Sequence, residues 1–255
     1  MTTLGAIFTP QNPPESLRGV ARAADEAGLE ELWIWEDCFL NGGISAAAAA
    51  IAWKTRVQVG IGIMPVPFRN VALCAMEIAT LNRMFGDRAL AGIGHGVQEW
   101  MGQVGARPAS PLTLLREYAT TLRSLLAGEA VTVEGRYVRL DQVKLDWPPD
   151  PVPLLYVGAT GPKTLALAGA TGDGTILSGG TSPEGVAAAK KLIAAAVPHE
   201  IVVFVPATTG PDAAKRLHAT AADLKQDFPG VCGSPADIAA GVAEFVEAGA
   251  TKVIL

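Results

Sequence analysis

VQVGIGIMPVPFRN, residues 57–70, and RALAGIGHG, residues 88–96, are two unbroken apolar runs that end in small or polar residues. A strand buried on both faces reads this way, and parallel strands covered by helices are the usual case. In folds built from such strands the loops just beyond the C-terminal strand ends carry the chemistry. The functional question is therefore what stands at Gly62–Pro67 and at Gly94–Glu99.

Similar runs recur along the chain and alternate with amphipathic or Ala-rich stretches. Strands are read at Leu4–Thr9, Glu31–Trp35, Val57–Ile63, Arg88–Ile93, Pro153–Val157, Gly174–Leu177, Ile201–Val205 and Lys252–Leu255. Helices are read at Glu15–Ala27, Ile44–Trp53, Val71–Phe85, Leu112–Ala127, Pro162–Ala170, Glu184–Ala196, Ala213–Lys225 and Pro235–Ala248. Asn12 followed by two prolines marks the start of the first helix, and Gly28 its end. Ser234-Pro235-Ala236-Asp237 reads as a capping box opening the last. Eight βα units in 255 residues predict a single (β/α)8 TIM-barrel domain over 1–255, with a doubly wound sheet as the competing α/β arrangement. AVTVEGRYVRLDQV, residues 130–143, alternates around Glu134-Gly135 and predicts a β-hairpin excursion at about 130–147. The chain stops in the eighth strand, so the eighth helix is expected to be missing.

Composition narrows the function. Hydrophobic residues make up 49% and charged residues 18%, enough for one well-filled core, and the net charge of −5 argues against nucleic acid or an anionic membrane as partner. No apolar run is long enough for a transmembrane helix, and no signal-peptide pattern opens the chain. Cys38, Cys74 and Cys232, an odd and scattered set, read as reduced thiols of a cytoplasmic protein.

Several motifs fail. Gly92-Ile93-Gly94-His95-Gly96 lacks the third glycine of the dinucleotide fingerprint, since position 97 is Val. Gly161-Pro162-Lys163-Thr164 is no P-loop, and neither a GxSxG elbow nor an HExxH helix occurs. Three histidines, His95, His199 and His218, do not form a zinc pattern, so no metal is expected.

The residues left over cluster at strand ends. Glu36 and Asp37 close the second strand, where paired carboxylates are solvated, bonded to backbone donors, or used on a ligand. His95 sits between Gly94 and Gly96, with Gln98 and Glu99 following; Glu99 reads equally as a solvent-facing acid. Gly158-Ala159-Thr160-Gly161-Pro162-Lys163 runs from a strand into a helix N-terminus, a place that attracts phosphate. Ser178-Gly179-Gly180-Thr181 follows the next strand, so the two loops predict one shared anion site. Lys163 is either its counter-charge or a plain exposed lysine. Trp35, Phe39, Phe68 and Trp100 read as an apolar mouth, or as rim packing.

These segments resemble the bacterial luciferase-like flavin- or F420-dependent oxidoreductases. The similarity runs through ARAADEAGLEELWIWED, VGIGIMPVPFRNVALCAMEIATL, ALAGIGHGVQEW, LREYATTLRSLLAGEAVTVEGRYVRL, PLLYVGATGPKTLALAGATGDGTILSGG and GSPADIAAGVAEFVEAGATKVIL, nearly the whole chain in order. The resemblance implies a TIM barrel binding coenzyme F420 or FMN, often as a homodimer. It implies a bulge with a non-prolyl cis peptide at Gly62–Ile63, with Met64 beside it, backing the cofactor ring. It assigns Asp37 to cofactor contact, and Gly158–Lys163 with Ser178–Thr181 to phosphate. In one F420-dependent sugar-phosphate dehydrogenase branch, His stands where this chain has Cys38 and an acid where it has Val97, so that branch's acid–base pair and substrate are not implied.

The expected activity is hydride transfer between F420 and an unidentified small organic substrate, with His95 and Asp37 as the catalytic candidates. An FMN-dependent luciferase-like monooxygenase, served by a separate flavin reductase, is the alternative. A non-catalytic cofactor-binding or scaffold relative is the next, and a phosphosugar isomerase or aldolase barrel is a remote one.

Overall fold

A computed structural model describes residues 2–53, 56–223 and 230–255. The first half runs β1 (Thr3–Phe8), α1 (Leu17–Glu26), β2 (Glu31–Ile34), α2 (Gly43–Ala52), β3 (Gln58–Pro65), α3 (Val71–Phe85) and β4 (Ala89–Gly94). An excursion follows: α4 (Gln98–Gln103), α5 (Pro111–Leu126) and the strands β5 (Val131–Glu134) and β6 (Arg139–Val143). The chain continues with β7 (Leu155–Gly158), α6 (Pro162–Thr171), β8 (Gly174–Leu177), α7 (Pro183–Ile193) and β9 (Glu200–Phe204). It ends with β10 (Ala207–Thr209), α8 (Ala213–Asp223), β11 (Val231–Gly233), α9 (Pro235–Ala248) and β12 (Lys252–Ile254).

Eight parallel strands close a barrel in the order β1–β2–β3–β4–β7–β8–β9–β12, with β12 pairing back onto β1. The TIM-barrel expectation therefore holds over all eight strands. The hairpin is present as antiparallel β5 and β6. The Glu117 carboxylate on α5 pins its turn by accepting from the backbone N–H groups of Arg136, Tyr137 and Val138 at 3.0, 2.9 and 3.1 Å.

Local signals account for most helix ends. Asn70 accepts from Ala72 N at the start of α3, and Ser234 with Asp237 forms the capping box of α9. The first helix departs from the reading: a 3-10 turn at Pro14–Ser16 precedes α1, and the Asn12 amide bonds to Thr9 instead of capping. Helix α7 stops at Ile193 with Ala194 in the left-handed region, short of the expected Ala196. Pro198 lies just beyond and disfavours helix at the residue before it. For the expected helix Ala213–Lys225, positions 224 and 225 lie outside the described residues. No described helix is long and apolar enough to cross a membrane.

Two cores result. A shell of aliphatic side chains lies between barrel and helices, and a second cluster fills the barrel with Trp33, Leu90, Tyr156, Ile176, Val202, Phe204 and Ile254. Glycines make that aromatic filling possible. A Cβ at Gly60 would sit 2.4 Å from Trp33, and one at Gly174 would sit 2.6 Å from Tyr156.

The barrel floor, at the N-terminal strand ends, is ionic. Lys252 Nζ lies 2.6 Å from Glu31, 2.9 Å from the Tyr156 hydroxyl and 3.0 Å from Glu200. Trp33 Nε1 donates to the other Glu31 oxygen at 2.7 Å, and the Tyr156 hydroxyl donates to Glu200. Burial, with Glu200 alongside, pushes the Tyr156 hydroxyl far above its usual range, so it stays a donor. Conservative structural work is what this end of such a barrel does.

Candidate functional site

At the opposite, C-terminal end a cavity of about 430 Å³ opens between the strand exits. That volume lies within the range of small-molecule sites. Its lining draws on six strands, from Asp37 beyond β2 round to Ser178 beyond β8 and Phe204 of β9, which closes the far wall.

β3 shapes the floor. Its register against β4 shifts between Ile61 and Met64, which is the expected bulge, and the Gly62–Ile63 peptide is cis. The bulge turns two successive residues, Gly62 and Ile63, toward the cavity. Met64 is the correction that follows. With the strand's alternation reset, its side chain points outward into the shell, 1% exposed, and does not line the cavity. A Cβ on Gly94 or on Gly158 would come within 3.0 Å of Ile63 carbons. The floor around Ile63 is thus apolar, resting on the barrel cluster and flanked by two positions, 94 and 158, that carry no side chain.

Asp37 lines the cavity, and burial raises its carboxyl above the usual range. Glu36 is differently placed. Its carboxylate is 8% exposed and meets Arg69 in a two-point pair, Nη1–Oε1 at 2.8 Å and Nη2–Oε2 at 3.1 Å. Gly43 N, at the start of α2, donates to it at 2.7 Å. Its oxygens are therefore engaged by protein, although the residue borders the cavity.

His95 lines the cavity beside Gly94, and its Nε2 lies 3.1 Å from the Thr164 hydroxyl. Burial holds the ring below the ordinary imidazole range; the Pro111 carbonyl opposes that shift. His95 is thus neutral near pH 7 and tied to the first turn of α6. Gln98 bonds back to the carbonyls of His95 and Gly96 and opens α4.

The two anion-loop candidates follow neighbouring strands, β7 and β8, and meet at the same cavity. Gly158, Ala159 and Thr160 line it from one loop, Ser178 and Gly179 from the other. Gly161, Pro162 and Lys163 do not, because Gly161 caps α6 and the helix leads away, leaving Lys163 exposed. Gly180 and Thr181 also fall outside, since Thr181 turns its hydroxyl back to the Ser178 carbonyl at 2.8 Å. Of the apolar candidates, Trp35 and Trp100 line the cavity, whereas Phe39 and Phe68 border an adjoining outer cleft that shares Asp37. Phe204, Thr164 and Arg69 carry no signal in the sequence, because each acts through a partner distant along the chain.

A family model described as luciferase-like monooxygenase matches residues 2–222. The chain belongs to the luciferase-like monooxygenase family. Among its relatives in that family, a 5,10-methylenetetrahydromethanopterin reductase from Methanolobus tindarius is 32% identical over 166 residues, 65% of this chain and 50% of the relative. An F420-dependent glucose-6-phosphate dehydrogenase from Kineococcus radiotolerans is 34% identical over 168 residues, 60% of this chain and 49% of the relative. The matched region spans about half the length of these curated relatives. A solved F420-dependent secondary alcohol dehydrogenase, in complex with an F420-acetone adduct, superposes with a TM-score of 0.87 at 20% identity. That likeness covers 100% of this chain and 92% of the other, and shows a shared fold.

Proposed function

We propose that this luciferase-like protein is an oxidoreductase that transfers a hydride between coenzyme F420 and a small organic substrate in the mouth cavity. The observation that carries the reading is the convergence of the Gly62–Ile63 bulge and the two small-residue loops on one cavity. Relatives named as F420-dependent support the choice of cofactor. The apolar floor around Ile63, with glycine at 94 and 158 where a Cβ would crowd it, suits a flat ring. When bound, F420 supplies the redox chemistry at its C5.

The chain's own residues would bind, orient and move protons. The Thr160 backbone amide, the Ser178 hydroxyl and the positive end of α6 suit an anchoring phosphate, whereas the Ala159 amide is already donated to the Ile176 carbonyl. Asp37, raised by burial, holds a proton more readily than an exposed carboxylate and faces the reacting region. His95, neutral and oriented by Thr164, is the second group able to exchange a proton. Trp35, Trp100 and Phe204 make an apolar wall and select a substrate with an apolar part.

Titration of the purified protein with F420 and with FMN, read by tryptophan fluorescence and visible absorbance, tests the reading. F420 binding with hydride transfer to a substrate panel supports it. FMN binding alone moves the assignment to a monooxygenase served by a flavin reductase. F420 binding without turnover moves it to a non-catalytic binder, and binding of neither overturns it. We also propose a homodimer: α2 carries no charged residue, and Leu73, Met76 and Met84 project from α3 into solvent. Light scattering should find two copies, and Met76→Glu should return the monomer.

A further inference from the structure

The Glu36–Arg69 pair joins the exits of β2 and β3, the two strands whose ends frame one side of the cavity. Arg69 is held from both directions, by the 3-10 turn Val66–Phe68 before it and by Asn70, the cap of α3, after it. Its Nε lies 3.4 Å from Glu77 on α3, so the guanidinium bridges two carboxylates. On the other side, Glu36 binds Gly43 N so closely that a Cβ at Gly43 would sit 2.9 Å from its oxygen. The pair is 15% and 8% exposed, and planar two-point pairing sets direction as well as distance.

Asp37 is the next residue after Glu36 and faces the cavity. We propose that Arg69 is a positioning residue for the reaction: it locks Glu36, aims Asp37 at the bound ligand, and cancels the charge beside it. This rests on the reading of the cavity as the F420 site. An unpaired carboxylate on the residue before Asp37 would disfavour Asp37's own ionisation. Of the other titratable groups, Cys38 adjoins Asp37 on its own segment and His95 lines the same cavity, whereas Cys74 and Glu77 on α3 lie by Arg69 and Glu36. None of these is a cation paired with Glu36. Arg69→Lys keeps the charge and loses the fork, which separates the two roles.

Carbon NMR of Asp-carboxyl-labelled full-length protein without cofactor, with the Asp37 signal assigned by Asp37→Asn, reads the titration directly. Arg69→Met should raise the Asp37 midpoint by about one unit. Glu36→Gln, which leaves Arg69 paired with Glu77 alone, should lower it, and the double variant should return it to the wild-type value. Arg69→Lys should keep the wild-type midpoint and lose F420 affinity. Should Arg69→Met not fold, the downward shift in Glu36→Gln still decides the matter. An unchanged or raised midpoint in Glu36→Gln overturns the charge role, and undiminished F420 affinity in Arg69→Lys overturns the aiming role. Failure of wild type to bind F420 or FMN sinks the proposed function alone, because the midpoints are measured without cofactor.

Discussion

Replacing Lys252 with Met should destabilise the fold far more than the loss of an ordinary surface charge. Lys252 and Glu31 are 6% and 1% exposed, and Lys252 makes the contact at 2.6 Å. Met matches the lysine stem in length, so no large cavity opens. What remains is a buried Glu31 carboxylate with one donor, Trp33 Nε1. Glu200, with a side chain 36% exposed, can rehydrate and adds little. Removing one partner of a buried pair costs about 3–5 kcal/mol, against roughly 0–1 for an exposed one. For a chain of this size that is a fall in Tm of about 10 °C. Urea unfolding followed by tryptophan fluorescence measures it. The Glu31→Gln/Lys252→Met double variant removes both charges and keeps an acceptor for Trp33, so it should recover most of the loss. A single variant as stable as wild type, or a double variant weaker than the single, would refute the reasoning.

Three further outcomes follow from the same geometry. Gly60→Ala should lose about 1–3 kcal/mol by overpacking against Trp33, whereas Gly19→Ala, inside α1 with nothing within 4 Å, should raise the urea midpoint slightly. Asp37 and His95 should tilt stability in opposite directions with pH. The raised Asp37 contributes below the ordinary carboxylate range and loses that contribution as pH rises, so Asp37→Asn should be the more stable near neutrality, with the gap closing in acid. The depressed His95 contributes above the ordinary imidazole range and loses it as pH falls, so His95→Gln should flatten the acid side of the stability profile. Ser234→Ala, which removes the cap of α9, should cost about 0.5–2 kcal/mol in the same assay.

Barrel strands are legible in the sequence because burial on both faces leaves continuous apolar runs, and helices because caps and prolines mark their ends. The readings Val71–Phe85 and Pro235–Ala248 coincide with α3 and α9. What escapes notice is short or half-polar: the six-residue α4, and the paired strands β10 and β11 of three residues each. Neither offers as many as two full periods of pattern to read. A run of residues alone does not tell where alternation resets, so the sequence reading puts Met64 on the cavity side; the bulge turns Ile63 in instead.

The sequence by itself determined that eight βα units build a parallel barrel, that small residues end β3, β4, β7 and β8, and that the loops after β7 and β8 adjoin. Those are local facts of pattern and order along the chain. Tertiary structure alone decided which charges are already spent. Glu36 meets Arg69 across 33 positions, and Lys252 meets Glu31 across 221. Closure of the barrel brings such partners together, and only then does burial decide whether a carboxylate is a structural ion, as at Glu31 and Glu36, or a group left facing the cavity, as at Asp37.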